Sequence, residues 1–206
     1  MRQRLMLKGG ASCAAGSSLG AGLIEVMVAL LIFATAMGGI LTTQLAGKRA
    51  AHEALQRSMA ALLAGDMLER MRGNPGQLAV YVAHALGDRD APIFPPAADC
   101  TLAVCSPAQL ASYDLWQWES LLLGAAEREG EYRLGGLLNP RACVAVSGSR
   151  ITLALSWRGP TASLSPVDFA CSSDSAGIYD APGHPPGNKL LRRVLTVSTA
   201  VMAVSP

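Results

Sequence analysis

The stretch that decides the fold is Gly20-Ala21-Gly22-Leu23-Ile24-Glu25-Val26-Met27-Val28-Ala29-Leu30-Leu31-Ile32-Phe33. It opens an apolar run in which Glu25 is the only charge between Leu23 and Ala46. At 1.5 Å rise per residue, about twenty apolar residues cross the roughly 30 Å hydrocarbon core of a bilayer. The run therefore predicts a transmembrane helix segment over 21–46. Upstream lie Arg2, Arg4 and Lys8 with no acid among them. Basic flanks stay on the cytoplasmic side, so everything after Lys48 is expected outside.

Residues 1–20 do not read as an ordinary secretory signal. Such a signal places 7–15 apolar residues directly after its basic start. Here only Leu5-Met6-Leu7 is apolar, followed by a small-residue run from Gly9 to Gly20. Cys13 lacks the preceding hydrophobic core that a lipoprotein signal requires. The segment reads instead as a short basic leader ending at Gly20.

The helical pattern continues beyond the apolar run. Ala51, Leu55, Met59, Leu63, Met67 and Met71 recur every four residues, with Leu62 and Leu68 beside them. Glu53, Arg57, Asp66, Glu69 and Arg70 lie mostly off that stripe. The pattern stops at Gly73-Asn74-Pro75-Gly76, since Gly and Pro punctuate helix ends. One helix of about fifty residues is expected: membrane-spanning over 21–46, amphipathic over 47–73, its stripe packed on a globular domain at 74–206.

That domain reads as α+β. A loop-rich stretch follows Gly76 through Pro92, Pro95 and Pro96. Ser106-Pro107-Ala108-Gln109 is a capping box with Pro at the first helical position, predicting a helix from Pro107 to about Ala126. Strands are expected near Cys143–Val146 and Ile151–Trp157, joined by Ser147-Gly148-Ser149, and at Val194–Val204. A long helix against a small antiparallel sheet is the resulting architecture. Trp116 and Trp118 are expected as core or subunit-interface aromatics.

Composition narrows the function. Of 206 residues, 50% are hydrophobic and 16% charged, well below the roughly 25% charge typical of soluble domains. A net charge of +2 gives no field directed at nucleic acid, so no such partner is expected. Without Cys13, the even set Cys100, Cys105, Cys143 and Cys171 remains. It contains no Cys-x-x-Cys and no nearby histidine, so disulfides are expected and no metal. Four cysteines allow three connectivities; Cys100–Cys105 with Cys143–Cys171 is the favoured one.

Catalytic patterns are not found. Gly16-Ser17-Ser18-Leu19-Gly20 spells a nucleophile elbow but lies in the basic leader, without the strand and helix that an elbow needs. His52, His84 and His184 are isolated from metal-ligand partners. Asp168, Asp174 and Asp180 do not form a calcium-loop pattern. No phosphate-binding glycine motif is present. The expectation is a protein with no catalytic residues and no cofactors, not an enzyme.

The Gly20-Ala21-Gly22-Leu23-Ile24-Glu25-Val26 junction resembles the signature of the class IV prepilins. Asp66-Met67-Leu68-Glu69-Arg70-Met71-Arg72-Gly73-Asn74-Pro75 resembles the helix end of PilV-type minor pilins, the type IV pilus modification proteins. Cys100 to Cys105, Ala108-Gln109-Leu110-Ala111, Tyr113-Asp114-Leu115 with Trp118, and Arg141-Ala142-Cys143-Val144 are similar to the same group. Two departures stand out: Ala21 follows the cut where Phe or Met is usual, and Gly38-Gly39 stands where many major pilins carry a mid-helix proline.

The resemblance implies a type IV pilin-like fold and cleavage by prepilin peptidase between Gly20 and Ala21, with N-methylation of Ala21. It also implies that Glu25 pairs with the N-terminus of the next subunit to set axial register. An unpaired buried charge is strongly unfavourable and a paired one tolerable, which gives that pairing its force. Expected partners are other pilin and minor pilin subunits, the peptidase, the inner-membrane assembly platform and the membrane. The expected location is the inner membrane, single-pass, with a periplasmic C-terminal domain, and then the pilus. A minor pseudopilin of a type II secretion system shares the N-terminal logic and is the alternative.

Overall fold

The computed structural model describes residues 22–125, 127–130, 132–133, 135–164 and 177–201. The leader, the Gly20-Ala21 junction, Cys171, Asp168 and Asp174 lie outside the described residues. Contacts divide the chain into two units between Gly47 and Lys48, and each is described by itself.

The first unit is the opening half of helix α1, which runs Gly22–Gly73. Its side chains are exposed throughout, with Leu23 at 77% and Phe33 at 60%. The most apolar window of α1 has a mean hydropathy of 2.2 and meets the length and composition of a membrane-crossing helix. The hydroxyls of Thr35, Thr42 and Thr43 donate back to the carbonyls of Ile32 and Gly39. These three hydroxyls are thereby satisfied inside the helix, as an apolar surrounding demands.

The second unit begins with the remaining half of α1. Its buried face is Gln56, Ala60, Ala64, Met67, Leu68 and Met71. The every-fourth stripe seen in the sequence therefore holds only at its end. Met67 and Met71 are fully buried, Met59 and Leu63 are partly buried, and Ala51 and Leu55 are exposed. The reason is angular. A step of four residues overshoots the 3.6-residue turn by about 40°, so five steps carry Ala51 about 200° round from Met71. Small Ala60 and Ala64 supply the close-packed face instead.

Four strands form an antiparallel sheet in the order β1-β4-β5-β6, comprising β1 (Ala83–Leu86), β4 (Arg141–Ser147), β5 (Arg150–Arg158) and β6 (Arg192–Ala200). A separate two-stranded ribbon pairs β2 (Arg128–Glu129) with β3 (Tyr132–Arg133). The hairpin between β4 and β5 turns through Gly148-Ser149, with Ser147 paired to Arg150. Gly148 has φ +60°, which a type II′ turn requires at its first central position. The core-facing residues Ala142, Val144, Ile151, Leu153, Leu155 and Trp157 form one cluster with Met67, Met71, Tyr81 and Trp118.

Helix α2 covers Pro107–Leu122 and shows the capping box: Ser106 Oγ accepts from the Gln109 N–H, and the Gln109 side chain accepts from the Ser106 N–H. It stops short of the expected Ala126. Gly124 adopts φ +76° and its N–H bonds the Leu121 carbonyl, which closes the helix. Strand β1 lies in a stretch that the sequence marks only as loop. Its four residues, Ala-His-Ala-Leu, lack the β-branched and aromatic side chains that advertise strands.

Candidate assembly surface

Glu25 stands in the first turn of α1, where a carboxylate is favourably placed toward the positive end of the helix dipole. Around it Leu23, Ile24, Val26, Met27 and Val28 are all exposed, from 48% to 77%. A soluble monomer does not leave so continuous an apolar surface open. Gly20 and Ala21, the other two N-terminal positions singled out, fall outside the described residues.

In the second unit, buried polar groups hold α1 at one rotation and height. Gln56, 6% exposed, accepts from the Leu138 N–H through Oε1 (2.9 Å) and donates from Nε2 to the Gly136 carbonyl (3.3 Å). Trp118 Nε1 donates to the Leu63 carbonyl at 2.8 Å. Arg193 on β6 pairs with Glu53 at 2.9 Å. Near the end of α1, Arg70 donates to Asp66, Asp114 and Gln117, and Tyr81 Oη donates to Asp114 at 2.6 Å. Burial, followed by the bond to the Asp114 carboxylate, holds the Tyr81 phenol well above its ordinary range. Asn74 Nδ2 donates to the Pro107 carbonyl, tying the stop of α1 to the start of α2.

A second staple fixes the proline-rich loop. Glu119, 1% exposed, accepts from the Gly87 and Ile93 N–H groups at 2.7 and 2.6 Å. Arg141 adds a bond to the Gly87 carbonyl and an ion pair with Asp88 at 3.3 Å. Sequence reasoning missed Gln56, Glu119 and Tyr81. Each is a buried polar residue that carries no local signal, because its partner is 26–82 residues distant.

The cysteines sit on this framework. Cys100 and Cys105 are bonded, closing a small loop before α2. Within it the hydroxyl and N–H of Thr101 both donate to Asp99, holding that carboxyl below the usual range. Cys143 is buried on β4 and disulfide-bonded as well. Cys171 lies outside the described residues. Asp180 is committed to its own loop. The N–H groups of Gly187 and Lys189 donate to it and hold its carboxyl below the usual range. Among the described residues no group of three His, Cys, Asp or Glu could hold a metal ion.

The first unit is an apolar helical segment, and the second is a packed α+β unit with a Cys100–Cys105 disulfide. A family model described as Type IV pilin Tt1218 matches residues 42–116. No curated protein and no solved structure matches. The matched stretch holds the second half of α1 with its Asn74-Pro75 stop, β1, the Cys100–Cys105 loop and most of α2. That stretch, about a third of the chain, is similar to a type IV pilin.

Proposed function

We propose that this type IV pilin-like chain is a minor pilin of the PilV type, a subunit that enters or primes a type IV pilus. The observation that carries the reading is the exposed apolar half of α1 with Glu25 in its first turn. That surface is too apolar for water, and the similarity of residues 42–116, which continue the same helix, to a type IV pilin supports an assembly role for the chain. The helix serves twice: as a single-pass anchor in the inner membrane, and then as the part that packs among neighbouring subunits. The role is structural, and the partners are other pilin subunits, the prepilin peptidase and the assembly platform.

In this reading the peptidase cuts between Gly20 and Ala21 and methylates the new amine. Glu25 of one subunit pairs with the Ala21 amine of the next, and Cys143 pairs with Cys171 in the periplasmic domain. Intact-mass analysis of the chain from its native host tests the proposal. The expected mature N-terminus is methylated Ala21, with the chain recovered in sheared filaments. A chain still beginning at Met1, or one cut near Cys13, would overturn it.

A further inference from the structure

Between β1 and α2 the chain runs through Ala91-Pro92-Ile93-Phe94-Pro95-Pro96-Ala97-Ala98, a stretch without charge. Proline locks φ at about −65°, and the residue before a proline is pushed toward the polyproline II region. Ala91, Phe94 and Pro95 all precede prolines, so the covalent structure itself favours that left-handed helix. Residues 92–96 accordingly belong to no α-helix, strand or turn. At three residues per turn, Pro92 and Pro95 fall on one edge of such a helix, about 9 Å apart.

The fold holds this stretch still and presents it to solvent. Before it, the Gly87 N–H and the Asp88 carboxylate are fixed by Glu119 and Arg141. Within it, the Ile93 N–H donates to the buried Glu119 carboxylate at 2.6 Å. After it, the Cys100–Cys105 disulfide closes the chain. Between these anchors Pro92, Phe94 and Pro95 are exposed, Phe94 at 87%. Among the described residues, no hydrogen bond reaches the carbonyls of 92–96.

We propose that residues 92–96 are a docking ligand for a partner protein's groove lined by Trp or Tyr side chains. The hydrogen-bonding pattern selects that occupant. A strand cannot pair here, because the prolines have no N–H and the Ile93 N–H is already given to Glu119, which leaves Phe94 as the single donor. A lipid interior would strand the carbonyls of 92–96 without donors. An aromatic groove meets both demands. Its ring faces pack on Pro92 and Pro95, while indole N–H or phenol O–H groups donate to the carbonyls. Because prolines and anchors order the loop beforehand, little conformational freedom is lost on docking. This docking site is independent of the filament role.

The test puts a photoreactive benzophenone side chain in place of Phe94 in the full chain, made in its native host. Crosslinks formed on irradiation are mapped by peptide mass spectrometry. The expected product joins position 94 to a different protein, within a segment that holds at least two Trp or Tyr residues. Its yield should fall about five-fold or more in P92A/P95A, which keeps the loop uncharged but gives up its preset φ angles. Both prolines are exposed, so this variant should keep the wild-type thermal midpoint. If it does not, P92A alone gives the same comparison. Crosslinks confined to lipid, to other copies of this chain or to a segment without Trp or Tyr overturn the proposal. So does the lack of any crosslink, or a yield that the proline substitutions leave unchanged.

Discussion

Glu25 and Tyr81 show how single polar groups act in apolar surroundings. If Glu25 neutralises the Ala21 amine of a neighbour, Glu25→Ala leaves insertion and cleavage intact. It lowers incorporation, because breaking a buried pair costs about 3–5 kcal/mol. Glu25→Gln keeps the shape and removes the charge, so it should be nearly as severe. The measurement is the ratio of filament to membrane protein for wild type and both variants; equal ratios would refute the register role. Tyr81 is fully buried and donates to Asp114. Tyr81→Phe should cost about 1–3 kcal/mol by removing that donor from a buried carboxylate. The phenol also sets an alkaline slope. Its folded pKa is raised, so its contribution is complete below the unfolded value near 10. Above that pH the unfolded chain releases a proton that the folded chain keeps. Stability then falls by about 1.4 kcal/mol per pH unit until the folded pKa is reached. Denaturant titrations between pH 8 and 11 should show this added slope in wild type and not in Tyr81→Phe.

At the scale of elements, α2 depends on its two ends. Ser106→Ala removes the side-chain half of the capping box and should cost about 1 kcal/mol. Gly124→Ala should cost more, about 1–3 kcal/mol. An L side chain is strained at φ +76°, and the new methyl would collide with the Gly135 carbonyl. Urea midpoints of the two variants give the comparison, and a Gly124→Ala chain as stable as wild type would contradict the turn geometry. The start of α2 was legible in the sequence because Ser106 and Gln109 are three residues apart and their contact is local. Its end was not, because Gly124 closes the helix against Gly135 and Gly136, eleven and more residues away.

Across the whole molecule, the disulfides tie loops to a small core. The Cys100–Cys105 loop is short, so by chain entropy it contributes about 2 kcal/mol, and a Cys143–Cys171 loop would contribute about 3.5. Replacing Cys143 should therefore destabilise the domain more than replacing Cys100. In the chain taken from its native host, Cys100, Cys105, Cys143 and Cys171 should all resist alkylation until reductant is added. Mass spectrometry after alkylation, with and without reduction, reads both the number of blocked thiols and the pairing. Two freely alkylated thiols in the native chain would contradict the framework.

The sequence by itself determined the long helix, its stop at Gly73-Asn74-Pro75, the capped start of α2 and the β4–β5 hairpin. Each depends on residues within a few positions of one another, where hydrophobic runs, capping partners and glycine turns act directly on the backbone. Only the tertiary structure decided which face of α1 is buried. That face is Gln56, Ala60, Ala64, Met67, Leu68 and Met71, because 3.6-residue rotation and packing in the domain core select it. The tertiary structure alone also decided that β1 exists and that β6 ends the sheet among the described residues. Strand pairing, and the buried bonds of Gln56, Glu119 and Tyr81, join residues far apart in the chain. Such contacts are set by packing, which no local pattern encodes.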